Sequence, residues 1–115
     1  MRSTGFIGEQ IAVNYLINIG HKIIARNFYT RLGELDIISK KGPWIHSIEV
    51  KSGKRHPIHP GYKINRAKQK RMWHVTELAM NRYQLWQHYV QFDLIVVTND
   101  QINHIENIFN STDVF

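Results

Sequence analysis

The chain has no cysteine, so no disulfide can staple it and no thiolate can hold zinc. The same lack leaves its redox compartment undecided. No apolar run approaches the ~20 residues that a membrane-spanning helix needs. The opening Met1-Arg2-Ser3-Thr4-Gly5, soon followed by Glu9 and Gln10, lacks the long apolar core of a signal peptide. A cytoplasmic protein with no membrane partner is therefore expected. Internal repeats and low-complexity segments are missing too. Acidic residues are scarce: nine Asp and Glu stand against 15 Lys and Arg, for a net charge of +6. That sign favours polyanionic partners, by attraction and by counterion release. Anionic membrane surfaces would feel the same attraction, so where the charge sits matters more than its total.

What is present is ordinary globular material. The chain has 115 residues, 43% of them hydrophobic and 21% charged. This suits one domain, residues 1–115, able to bury a core without staples. Ile7, Ile11, Ala12, Tyr15, Leu16 and Ile19 recur at spacings of three and four, which predicts a helix from about Gly5 to Ile19 closed by Gly20. His21 to Tyr29 reads as a strand, Glu34 to Lys40 as a second and Trp44 to Lys51 as a third, with a turn at Lys41-Gly42-Pro43. Ser52 to Tyr62, with Gly53, Pro57, Pro60 and Gly61, reads as a loop. A helix is predicted from about Ile64 to Trp86, broken near Asn81. Strands at Phe92–Thr98 and His104–Phe109 follow it. The expected order is α-β-β-β-α-β-β, a mixed α/β domain.

Two residues break the pattern. Asp36 and Glu49 each lie inside an apolar strand. A buried carboxylate is costly unless it is paired or bound to a cation. If Gly42-Pro43 is the whole of a two-residue loop, Lys41 faces Trp44. Counting back along the hairpin, Asp36 then faces Glu49 and Glu34 faces Lys51. Opposed residues share a face with their Cβ atoms ~4.5–5.5 Å apart. An odd-length loop would separate the two carboxylates onto opposite faces. Held together they repel, and a divalent cation removes the repulsion. Oxygen ligands without cysteine favour Mg2+ or Mn2+. Lys51 shares Glu49's face, where it can orient water or neutralise charge on a phosphate. The competing explanation is a plain salt bridge of Glu34 or Glu49 with Lys51 on a solvated edge.

The series Gly8-Glu9, Ala12, Tyr15-Leu16, Gly20, Arg26-Asn27, Gly33-Glu34-Leu35-Asp36-Ile37-Ile38, Glu49-Val50-Lys51 and Phe92-Asp93 resembles the YraN-like family of small bacterial proteins. That family is similar to the restriction-endonuclease-like PD-(D/E)xK superfamily, which includes archaeal-type Holliday junction resolvases. The resemblance implies a mixed central sheet flanked by helices. It also implies a metal-dependent DNA endonuclease, acting on branched or structured DNA and leaving 5′-phosphate ends. Carried over by position, Asp36 looks like the first metal aspartate, Glu49 like the second acidic ligand and Lys51 like the catalytic lysine. Val50 falls among the metal-binding positions, and Glu9 looks like the additional acidic residue of the resolvase branch. Lys68 matches a basic position on the second main helix. Leu35 stands where the superfamily name has proline, and Ser52-Gly53 replaces the usual Thr-Arg. Junction cleavage needs two sites, so a homodimer is the implied assembly.

The basic residues support that direction. Lys51, Lys54, Arg55, Lys63, Arg66, Lys68, Lys70 and Arg71 lie within one stretch that has no Asp or Glu. Apart from Lys51, these are the candidate nucleic-acid contacts. Lys68 is four residues from both Ile64 and Met72, so it points along the apolar stripe and wants an anionic partner. A transition-metal site at His56, Ile58 and His59 has no supporting cysteine or helical H-x-x-x-H and is set aside. Asp93 is expected to pair with Arg26 or Arg31 and hold the sheet, and the tryptophans and tyrosines are expected in the core. The leading expectation is a Mg2+-dependent endonuclease. The alternative is a module of the same fold that binds nucleic acid without cutting it.

Overall fold

The computed structural model describes residues 3–52, 64–99 and 101–109, with side chains from residue 7 onward. Its elements are α1 (Ser3–Asn18), β1 (Lys22–Thr30), β2 (Gly33–Lys41), β3 (Trp44–Ser52), α2 (Arg66–Tyr83), β4 (Tyr89–Thr98) and β5 (Gln101–Phe109). The five strands form one sheet in sequence order. Neighbours are antiparallel except β3 and β4, which run parallel. Parallel neighbours need a crossover, and α2 supplies it. The α/β class and the element order are those expected from the sequence.

The sheet has a core on each face. Leu35, Ile38, Ile45 and Phe92 pack with Met72, Val75 and Ala79 of α2. Ile37, Ile48, Ile95 and Val97 pack with Ala12, Val13 and Leu16 of α1. Helix α2 is unbroken at Asn81. It starts at Asn65, whose side chain caps the Lys68 N–H at 2.8 Å, and stops at Gln84 in the left-handed region (φ 57°).

In α1 the buried arc is Glu9, Ala12, Val13 and Leu16, while Ile7 and Ile17 face solvent at 60% and 54% exposure. This differs from the expected stripe because the helix is apolar nearly all round, so spacing alone could not orient it. This rotation puts Glu9 inside the buried arc. Gly8, beside it, lies so close to β3 that an added Cβ would come within 2.3 Å of Ser52 Cβ. Only glycine permits that approach.

The β2–β3 turn is the two-residue loop Gly42-Pro43, with Gly42 at φ 58° and Lys41 paired with Trp44. The pairing runs back to Ile37↔Ile48 and stops there. Leu35 belongs to the α2 core and Ile37 to the α1 core, although residues two apart in a regular strand share a face. The pleat therefore breaks at Asp36. On its other side, β1 is irregular at Asn27, which takes φ 50° between the pairs Arg26↔Ile37 and Phe28↔Leu35. Asparagine tolerates that conformation better than most residues. Asp36 thus sits where the ladder opens towards both neighbours.

Candidate metal and phosphate site

The opening in the ladder exposes backbone donors, and Asp36 uses one. Its Oδ2 accepts the Val50 N–H at 2.8 Å. The register that pairs Ile37 with Ile48 brings Asp36 to the level of Glu49, and both carboxylates line one cleft. The Asp36 carboxyl is raised to about 6, first of all by burial. The Val50 N–H pulls it down, and the negative charges of Glu49, Glu9 and Glu34 push it further up. Acids from α1, β2 and β3 thus all lie within electrostatic reach of Asp36.

Each acid is compensated differently. Glu9 accepts from Asn27 Nδ2 at 2.8 Å and lies 3.6 Å from the Arg26 guanidinium. One oxygen of Glu49 pairs with the Lys68 ammonium of α2. Its other oxygen, Oε2, is buried and has no hydrogen-bond partner among the described residues. Among the described residues Asp36 has a single N–H partner, and its affinity for protons is elevated. A partnerless buried oxygen beside an under-compensated carboxylate is an environment that a small hard cation would satisfy. Asp36 and Glu49 are the residues that could hold such an ion, and the Val50 amide fixes the Asp36 carboxylate.

The cleft has a volume of about 240 Å3, with Glu34, Asp36 and Glu49 on the sheet side and Lys68 and Arg71 on the helix side. Lys68 and Arg71 are three residues apart and so share one face of α2. Lys68 has the anionic partner that its place in the apolar stripe called for. Lys51 lies on the same face of β3 as Glu49, two residues on, and its side chain is exposed. Arg66 and Lys70 are exposed on the first turns of α2. Lys54, Arg55 and Lys63, with His56, Ile58 and His59, lie outside the described residues.

A second polar group occupies the α1 face of the sheet. Asp93 is fully buried, and the four donors to its carboxylate among the described residues include neither Arg26 nor Arg31. Its Oδ2 accepts from His46 Nδ1 at 2.7 Å and His104 Nε2 at 2.8 Å. Its Oδ1 accepts from Gln91 Nε2 at 2.9 Å and the Asn107 N–H at 3.0 Å. The expected arginine pairing fails because Arg26 is drawn to Glu9 and Gln10. Around this centre, His104 Nδ1 meets the Tyr15 hydroxyl at 2.9 Å and His21 Nδ1 meets Ser39 Oγ at 2.8 Å. The four donors hold the Asp93 carboxyl far below the usual carboxylate range, although burial alone would raise it. Ligand atoms of His46, Asp93 and Glu106 lie within 4.8 Å of one another, but both Asp93 oxygens are already engaged. The signal that could have revealed this group was the one used for Asp36: a polar residue inside an apolar strand, here His46 as well as Asp93.

Not all aromatics are core. Trp73 packs on Phe92, with ring centroids 5.8 Å apart, but Trp44, Trp86 and Tyr89 are 40%, 56% and 65% exposed. Trp44 and Tyr89 instead cover each other at the sheet end, with centroids 5.2 Å apart.

Residues 8–97 match the family described as Uncharacterised protein family UPF0102. A UPF0102 protein of Clostridium tetani is 38% identical over 99% of this chain and 94% of its own length. One from Thermodesulfovibrio yellowstonii is 37% identical over 89% and 91%. Another from Campylobacter fetus is 32% identical over 90% and 91%. This is the YraN-like family that the motifs resemble. Among the described residues, no helix is long and apolar enough to cross a membrane.

Proposed function

The chain belongs to the UPF0102 family, and we propose that it is a Mg2+- or Mn2+-dependent phosphodiesterase that cuts DNA, with branched or structured DNA as its substrate class. One observation carries the reading. A raised carboxyl on Asp36 and a buried, partnerless oxygen on Glu49 meet in a cleft whose opposite wall is cationic. A carboxylate pair alone would suit many roles. Set against Lys68 and Arg71, it suits a phosphate bridged between a cation and basic side chains.

Asp36 and Glu49 would hold the ion, which supplies positive charge beside the phosphate and lowers the pKa of water. Val50 keeps the Asp36 carboxylate oriented through its N–H. Glu9, tied to Arg26 and Asn27, adds negative potential that favours a divalent over a monovalent ion. Lys51, Lys68 and Arg71 neutralise phosphate charge, Lys51 from the strand and the other two from the helix. Arg66 and Lys70, with Lys54, Arg55 and Lys63 of the basic stretch, extend contact along the phosphate backbone. A DNA substrate implies the cytoplasm, and two-strand cleavage of a junction implies a homodimer.

The test is direct. Purified protein is assayed with Mg2+ or Mn2+ on linear, branched and single-stranded DNA. Asp36→Ala should abolish cleavage and leave salt-dependent DNA binding in place. No cleavage of any substrate, with binding indifferent to metal, would sink the enzyme and leave the non-cutting nucleic-acid-binding module.

A further inference from the structure

We propose that Lys68 is an exchangeable cation: it covers Glu49 while the site lacks a divalent ion, and turns to a phosphate of the nucleic acid once the ion takes Glu49. The proposal rests on the phosphodiesterase reading for the identity of the ion and the phosphate, and on the geometry for the exchange.

Three observations converge. First, Lys68 reaches across from α2 to Glu49, a direct side-chain contact joining the helix wall of the cleft to its carboxylates. Second, it satisfies only one Glu49 oxygen, and Oε2 stays buried without a partner. An ammonium is a single positive charge with short reach. It leaves Glu49 half compensated and Asp36 uncompensated. A divalent ion would satisfy both acids, so ion and lysine compete for one carboxylate. Third, the displaced lysine has somewhere to go. Its side chain is 36% exposed, it lines the open cleft, and Arg71 stands one turn further on the same helix face. The first turn of α2 holds no acid that could recapture it. A phosphate entering the open cleft between Lys68 and Arg71 is then an anion within its reach.

The exchange couples two binding steps. Without the ion, Lys68 is occupied and the cleft is a poor phosphate site. With the ion, one positive charge is released towards the DNA just as the metal arrives. A static ion pair that merely braces Glu49 predicts the reverse: removing the lysine would loosen the carboxylate and weaken metal binding.

The experiment titrates Mn2+ into full-length wild type, Lys68→Met, Lys68→Arg and Arg71→Gln, followed by electron paramagnetic resonance. Duplex DNA binding is measured in parallel with Ca2+ present and absent. Lys68→Met should bind Mn2+ about twofold to fivefold tighter, the scale set by losing a partly exposed competing charge. It should also lose the metal-dependent gain in DNA affinity. Lys68→Arg keeps the competing charge and should stay near wild type for Mn2+, which separates exchange from misfolding. Arg71→Gln should weaken DNA binding and leave Mn2+ affinity unchanged. Unchanged or weaker Mn2+ binding by a folded Lys68→Met overturns the exchange while leaving the metal site standing. Absence of any Mn2+ binding that is sensitive to Asp36→Asn overturns both.

Discussion

Asp36 and Asp93 are the same side chain in similar surroundings: each interrupts an apolar strand of one five-stranded sheet. Burial raises both carboxyls. At Asp93 four donors more than reverse the effect, and the group stays ionised far into acid. At Asp36 one backbone N–H faces three neighbouring carboxylates, and the group rises to about 6. Burial is therefore the smaller part of the difference between these two acids. The number of donors that the fold aims at the carboxylate decides it. Asp93 is fully engaged by protein donors, whereas Asp36 keeps the raised carboxyl on which the proposed metal site rests.

The comparison predicts opposite signs for the same substitution. Asp93→Asn keeps the shape but removes the charge that two histidines and two further donors converge on. It should destabilise the fold by ~3 kcal/mol, the scale of breaking a buried charged pair. Asp36→Asn retains an oxygen for the Val50 N–H and removes a charge the metal-free fold penalises. It should stabilise the metal-free protein at pH 7 by up to ~3 kcal/mol, from a shift of about two pKa units. Urea denaturation in the presence of a chelator measures both. If the two variants move in the same direction, the contrast between the sites is wrong.

A middling effect is expected where α1 meets the sheet. Gly8→Ala forces its methyl against Ser52, and overpacking of this kind costs ~1–3 kcal/mol. The shift also carries the neighbouring Glu9 away from Asp36. The variant should melt earlier, and its Asp36 should titrate lower than in wild type, followed by carboxyl-resolved NMR. An unchanged melting curve would mean that α1 does not need this close approach.

The sequence made the hairpin legible because one local feature, the Gly42-Pro43 turn, sets its register. The Asp36–Glu49 alignment followed from counting. Lys68 was legible as a charged residue in an apolar stripe, and it meets Glu49. Glu9 was harder to place, since α1 is apolar on most sides and its orientation is set by the sheet and by the Gly8 contact. His46 and Asp93 each stood out as polar residues inside apolar strands, but their pairing with each other and with His104 was not legible. His46 and His104 are 47 and 11 residues away in sequence. The side-chain bond of Asp93 to the Asn107 N–H depends on a register shift beside β5, where Asn107 takes φ 55°. Local patterning carries turns and faces, and it carries little about which buried donors converge from separate strands.

The finest test of the comparison is the pH dependence of stability, where one group from each face acts oppositely. Burial, helped by His46, Lys41 and His104, lowers His21 to about 4 from an ordinary 6.5. Its folded form resists protonation, so acidification from about pH 6.5 to 4 favours the unfolded chain and lowers stability. Asp36 does the reverse. Its pKa is about 6 folded against an ordinary 3.8, so its penalty is full above pH 6 and disappears as pH falls to about 4. The shifts are of similar size, and the metal-free wild type should show a nearly flat stability across this window. Asp36→Asn removes the compensating rise, so its stability should fall on acidification. His21→Gln should give a stability that rises over the same range. Saturating Mg2+ should make wild type resemble Asp36→Asn, because an ion that holds the carboxylate ionised makes its protonation costly. A flat profile that neither variant nor Mg2+ tilts would mean that these two groups do not carry the charges assigned to them. Below pH 4 all forms should lose stability together, as protons begin to compete with the four donors on Asp93.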